Sequence, residues 1–206
     1  TFSGIVDVSI TKYNYNGSSL TYSTYLGGSN IESPHSIVVT ANRELVVFGS
    51  TSSIDFPTTA SAYDKTYNGG TAVIADNILD YTVGSDLFVT KLNAAGSALV
   101  GSTLIGGNKN DGLNDEYNLA KLYYNYGDIF RGEVIVDANG NPIIAATTSS
   151  TDFPIVGGFQ NTFAGGTHDA VVMKFNNNLS SLTWSTFIGG NGTDAAYSVQ
   201  FDSKGD

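Results

Sequence analysis

Cysteine is absent from this chain, which removes disulfides, thiolate catalysis and cysteine metal sites together. Basic residues are scarce: 9 Lys and Arg stand against 19 Asp and Glu, for a net charge of -10. No Lys/Arg cluster interrupts that balance, so a phosphate backbone or an anionic lipid surface is repelled, and nucleic acid is excluded as a partner. Uninterrupted apolar runs of about 18 residues are missing too, so the sequence offers no transmembrane segment. Imidazole is confined to His35 and His168, and guanidinium to Arg43 and Arg131, which leaves little material for an acid–base centre. What is present is 41% apolar residues and 24 glycines in 206 residues, enough for one large all-β domain or two ordinary ones.

The glycines recur in a pattern. "YSTYLGG" at 22–28 returns as "GSTLIGG" at 101–107 and as "WSTFIGG" at 184–190. Each copy closes a longer phrase that opens on an aspartate, at Asp7, Asp86 and Asp169. An apolar stretch, a polar turn and a second apolar stretch follow, ending in "STSSIDFP" and "TTSSTDFP" in the first two copies; the third stops at "YSVQFDSKGD". The repeat units are 7–70, 86–166 and 169–206, the last incomplete, with insertions near 71–84 and 111–130; without these the period is about 65 residues.

Within a unit the side chains alternate as in strands. Leu20, Tyr22, Thr24 and Leu26 point one way, and Thr21, Ser23 and Tyr25 the other. Both faces are partly apolar, so each sheet is expected to be covered on both sides by its neighbours. Four short strands per unit joined by Gly/Asn turns predict an all-β fold of four-stranded antiparallel β-propeller blades, part of a larger propeller. The paired glycines are expected where the backbone turns with positive φ or passes close to another segment. Asp55-Phe56-Pro57 and Asp152-Phe153-Pro154 mark the exit from a blade, with the Phe tucked under the crossing.

The phrases "KLNAAGSALVGSTLIGG", "VDANGNPIIAATTSSTDFP" and "FQNTFAGGTHDAVVMKF" resemble the SBBP-type β-propeller repeat of bacterial surface and secreted proteins. The resemblance spans nearly the whole chain apart from the insertions. It implies a propeller, an extracellular or cell-surface location, frequent membership of a longer multidomain protein, and in some cases passage through an outer-membrane translocon of the type IX secretion system. It implies no catalytic residues. The chain departs from the pattern at "TANREL" in the first unit and at Gly101, which stands where Tyr22 and Trp184 stand.

Few residues suggest chemistry. Asp137, Asn139 and Asn141 place oxygens at alternate positions, as a calcium loop begins, but the later carbonyl and bidentate carboxylate are missing, and Asn139-Gly140 between apolar runs reads as a hairpin turn. No metal or cofactor is therefore expected. Neither histidine accompanies a nucleophile elbow. The repeated Lys12, Lys91 and Lys174, with Asp7, Asp86 and Asp169, read as edge charges that deter strand addition and pair across blades. The second insertion concentrates Tyr117, Tyr123, Tyr124, Tyr126 and Phe130, with two or three helical turns expected over 115–124. Those aromatics suit a protein partner or a surface glycan, or else they roof the blade and fill the space left by Gly101. The leading expectation is a non-enzymatic surface module for adhesion, scaffolding or protein interaction. Alternatives are a glycan-binding module acting through the Tyr-rich insertion, and a propeller lyase or hydrolase working at the channel mouth.

Overall fold

A computed structural model of the chain describes residues 2–75, 79–114 and 129–205, and among these there are strands and no helix. The strands are β1 (Val8–Tyr13), β2 (Leu20–Leu26), β3 (Glu32–Val39), β4 (Leu45–Thr51), β5 (Val73–Ala75), β6 (Leu79–Tyr81), β7 (Asp86–Leu92), β8 (Leu99–Ile105), β9 (Glu133–Val136), β10 (Pro142–Thr148), β11 (Asp169–Phe175) and β12 (Leu182–Ile188). The described residues hold no helix long and apolar enough to cross a membrane.

Two four-stranded antiparallel sheets carry the structure, one in the order β3-β4-β7-β8 and the other β9-β10-β11-β12. β1 and β2 form a separate hairpin ahead of the first sheet. The sheets are out of phase with the sequence repeat. Each takes its first two strands from the end of one unit and its last two from the start of the next. Alternation identifies a strand without naming its partner; the partner is set by the connections. The short Gly-Gly turn after β2 or β8 leads to a new sheet, whereas the chain after Asp-Phe-Pro returns to the sheet it left.

Three of the four central strands, β4, β7 and β10, are buried along their whole length, and β11 is part-exposed at Val172 and Lys174. Successive residues of β4 serve opposite faces. Val46 and Phe48, with Leu87, Val89 and Ile105, meet Val134, Ile144, Val171, Met173 and Phe187 of the second sheet. Leu45 and Val47, with Phe88, Leu92 and Leu104, meet Val8, Ile10 and Leu26 of the β1–β2 hairpin. The first sheet is thus covered on both faces, as its two-sided apolar pattern requires. Each fully buried aliphatic or aromatic side chain here stabilises by about 1.5–3 kcal/mol.

The first insertion makes the β5–β6 hairpin, which buries Tyr81 with Ile31 and Leu113 in a smaller cluster, its hydroxyl 2.8 Å from Ser33 Oγ. Phe56 is buried and stacks on Phe88 at 4.6 Å, and Phe153 enters the core between the two sheets, the positions expected of the Asp-Phe-Pro phenylalanines. The space above Gly101 is filled differently from expectation: a Cβ there would lie 2.7 Å from the carbonyl oxygen of Asn178, so the β11–β12 turn occupies it.

Candidate functional site

Tyr117, Tyr123, Tyr124 and Tyr126, and the expected helical turns over 115–124, lie outside the described residues. Phe130 is half-buried, stacks on Tyr81 at 6.2 Å and lies 6.4 Å from the His35 ring. This member of the aromatic set packs against the small cluster beside β5 and β6.

Asp137 opens the β9–β10 turn, where Gly140 takes φ 77°. Its Oδ1 accepts the N–H groups of Asn139 and Asn141, each at 2.9 Å; its Oδ2 accepts the Asn141 amide at 2.8 Å and pairs with Lys174 Nζ at 2.9 Å. Burial works to raise the Asp137 pKa, but Lys174 and these donors outweigh it and hold the carboxyl well below the usual range. The carboxylate therefore closes a hairpin, and its counter-cation is a side chain of the same sheet.

His168 is buried and His35 half-buried, its ring edge-on to Phe48 at 5.2 Å. Burial pushes His35 down to about 3 and His168 down to about 4. His35 Nε2 lies 3.2 Å from Ser50 Oγ, but Nδ1 has no partner among the described residues and Ser50 is fully buried. Among the described residues no carboxylate orients this Ser–His contact.

The repeated aspartates are not edge charges, nor is the buried Lys91, whereas Lys12 is exposed on β1 of the two-stranded hairpin as an edge charge would be. Asp86 is fully buried and accepts the N–H groups of Asn68 at 2.7 Å and Gly69 at 2.9 Å. Asp7 does the same for Ser3 and Gly4, and Asp169 for Ala164. A second carboxylate, unremarked in the repeat, stands four residues after each glycine pair, in "GGSNIE", "GGNKND" and "GGNGTD". Glu32, Asp111 and Asp194 accept the N–H groups of Gly28, Gly107 and Gly190 at 3.1, 2.8 and 2.8 Å. Thr51 and Thr148 donate their hydroxyls to Glu32 and Asp111. In the first two pairs the first glycine lies between the two acids: a Cβ on Gly106 would sit 2.7 Å from both Asp86 Oδ1 and Asp111 Oδ2, whereas at Gly189 it would meet Asp169. None of the six glycines has positive φ; close approach, not backbone conformation, requires Gly27, Gly28, Gly106, Gly107 and Gly189, while a Cβ at Gly190 would meet only Asp194 Oδ2 at 4.0 Å. Burial raises Glu32, Asp111 and Asp169 and pushes Asp86 up to about 7. These are carboxyls spent on holding loops.

A different arrangement occurs where the turns of the two sheets converge. The β3–β4, β9–β10 and β11–β12 turns and Val100 of β8 enclose a groove of about 420 Å³ lined by Asn42, Glu44, Asn141, Asn176, Asn177 and Asn178. A recess of about 120 Å³ beside it shares Asn42, Glu44 and Asn177. The fully buried Lys91 lies behind the lining residues: Nζ reaches Glu44 Oε2 at 3.6 Å, the Gly140 carbonyl at 3.2 Å, and Asn177 Oδ1. Only "FNNNLSS" at 175–181 hints at this groove in the sequence, because three separate hairpins build it. Comparison with protein-family models and with curated proteins gives no match to this chain, so a functional reading rests on its own residues.

Proposed function

We propose that the chain is a non-enzymatic recognition and scaffolding module of a secreted or cell-surface protein, its four-stranded sheets serving as blades of an SBBP-type β-propeller. The observation that carries this reading is the complete burial of β4, β7 and β10. Strands whose side chains are all spent on neighbouring sheets leave turns and insertions to meet a partner. The blade assignment draws support from the path between sheets: the edge strand β8 leads to β9, and β9 packs beside β3 and β4 of the preceding sheet. Repetition around an axis continues that path.

The test is to label intact source cells and their culture medium with antibody to the chain, before and after external protease treatment. Surface or medium signal that protease removes is expected. Signal that appears only after lysis would overturn the reading.

A further inference from the structure

We propose that the groove between the β3–β4, β9–β10 and β11–β12 turns binds a neutral oligosaccharide. The inference rests on the module being a recognition device and names a ligand class for it, at a place other than the Tyr-rich insertion. Its charges are already matched. Glu44 has Lys91 at 3.6 Å and Asp137 has Lys174 at 2.9 Å, so neither an anionic nor a cationic ligand meets an uncompensated partner. In a chain of net charge -10, this near-neutral groove selects for ligands that are polar and uncharged.

The groups left over are amides. Asn176 is committed to its own turn, accepting the N–H groups of Ser180 and Ser181, and Asn141 donates to Asp137. The exposed Asn42 side chain makes no hydrogen bond within the described residues, and Asn177 and Asn178, which also line the groove, engage the protein through their oxygens, so their NH2 groups have no partner among the described residues. Asn42 offers a donor and an acceptor side by side, and Asn177 and Asn178 add donors, to meet sugar hydroxyls, each of which both gives and receives a hydrogen bond. Val100, 41% exposed, supplies an apolar patch for the C–H face of a pyranose. An extended peptide would find amide partners but, with Val100 the one apolar side chain in the lining, little to hold its side chains. The volume of about 420 Å³ falls in the range of small-molecule sites, and suits a short saccharide.

The experiment applies the full-length protein to an array of neutral and sialylated glycans, then measures the strongest neutral binder by calorimetry. Three variants and one competitor follow: Asn42→Ala with Asn178→Ala, Val100→Arg to fill the groove, Tyr123→Ser with Tyr124→Ser and Tyr126→Ser, and a neutral Gly-Ser peptide. Neutral glycan binding is expected, weakened about tenfold by the double alanine change through loss of two hydrogen bonds, abolished by the arginine, and kept by the tyrosine variant. The two alanine changes and the arginine fall on exposed or part-exposed positions, so the thermal melt should not move. Absence of any neutral binder, preference for sialylated glycans, displacement by the peptide, or binding lost with the tyrosines and not with the groove would each overturn the proposal. All of this is read on purified protein, so it stands or falls independently of where the protein resides.

Discussion

At the scale of single residues, the glycines after β8 and the acids around them make the sharpest predictions. Gly106→Ala places a Cβ 2.7 Å from two carboxylate oxygens, each fixed by donors of its own, and should lower stability by about 1–3 kcal/mol in denaturant unfolding. Gly192→Ala, with open space at its Cβ position, should be close to neutral. The buried carboxyls also set a pH dependence. Asp86, raised to about 7, and Asp111, also raised by burial, favour the neutral acid in the fold, so the stability they lend is complete at about pH 4 and is lost as pH rises through their folded values. His35 and His168, pushed down to about 3 and about 4, work in the opposite sense: their contribution is complete above about pH 6.5 and fades as pH falls towards those values. The two effects oppose each other between about pH 4 and 6.5, and above that window only the acids titrate. The melting temperature should therefore fall as pH rises from about 6.5 through about 7, where the folded Asp86 loses its proton, which differential scanning calorimetry would register; a flat profile there would contradict the burial argument.

At the scale of elements, the hairpins are local in sequence and the loop anchors are not. Asn139-Gly140 between apolar runs predicts the β9–β10 turn, and the turn is there, closed by Asp137. Asp137→Ala removes the acceptor for two backbone N–H groups and the partner of Lys174, and should cost about 1–2 kcal/mol by chemical unfolding. Because Lys174 already supplies the cation, adding chelator or calcium should leave the melting temperature unchanged; a loss of several degrees on chelation, restored by calcium, would show that the turn holds metal. Strand positions, the two-sided burial and the place of the Asp-Phe-Pro phenylalanines were likewise legible, because each follows from alternation or from a residue that cannot donate to a ladder. The acid pairs were not. Asp7 and Glu32, or Asp86 and Asp111, meet only after a two-stranded hairpin has formed between them, and a lone Asp at a strand start looks like an edge charge until its donors are seen. The groove was hidden for the same reason: Asn42, Asn141 and Asn177 belong to three different hairpins.

At the scale of the whole molecule, the account depends on how the sheets follow one another. Val46 and Phe48 face one neighbour while Leu45 and Val47 face the other, so a sheet in the middle of the series spends both faces on packing. Phe153 lies in the core between the two sheets, and Phe153→Ala should cost about 3–5 kcal/mol and broaden the melt as the sheets uncouple, seen by circular dichroism. Recognition then falls to the polar ends of the hairpins and to the inserted segments. The most direct test of the central claim is a cryo-electron-microscopy or crystal structure of the full-length protein. The account predicts a closed ring of about four to eight four-stranded sheets, with β3 and β9 next to the axis and the asparagine groove open to solvent between consecutive sheets. Sheets stacked in an open sandwich, or β3 and β9 on the outside of the assembly, would contradict it.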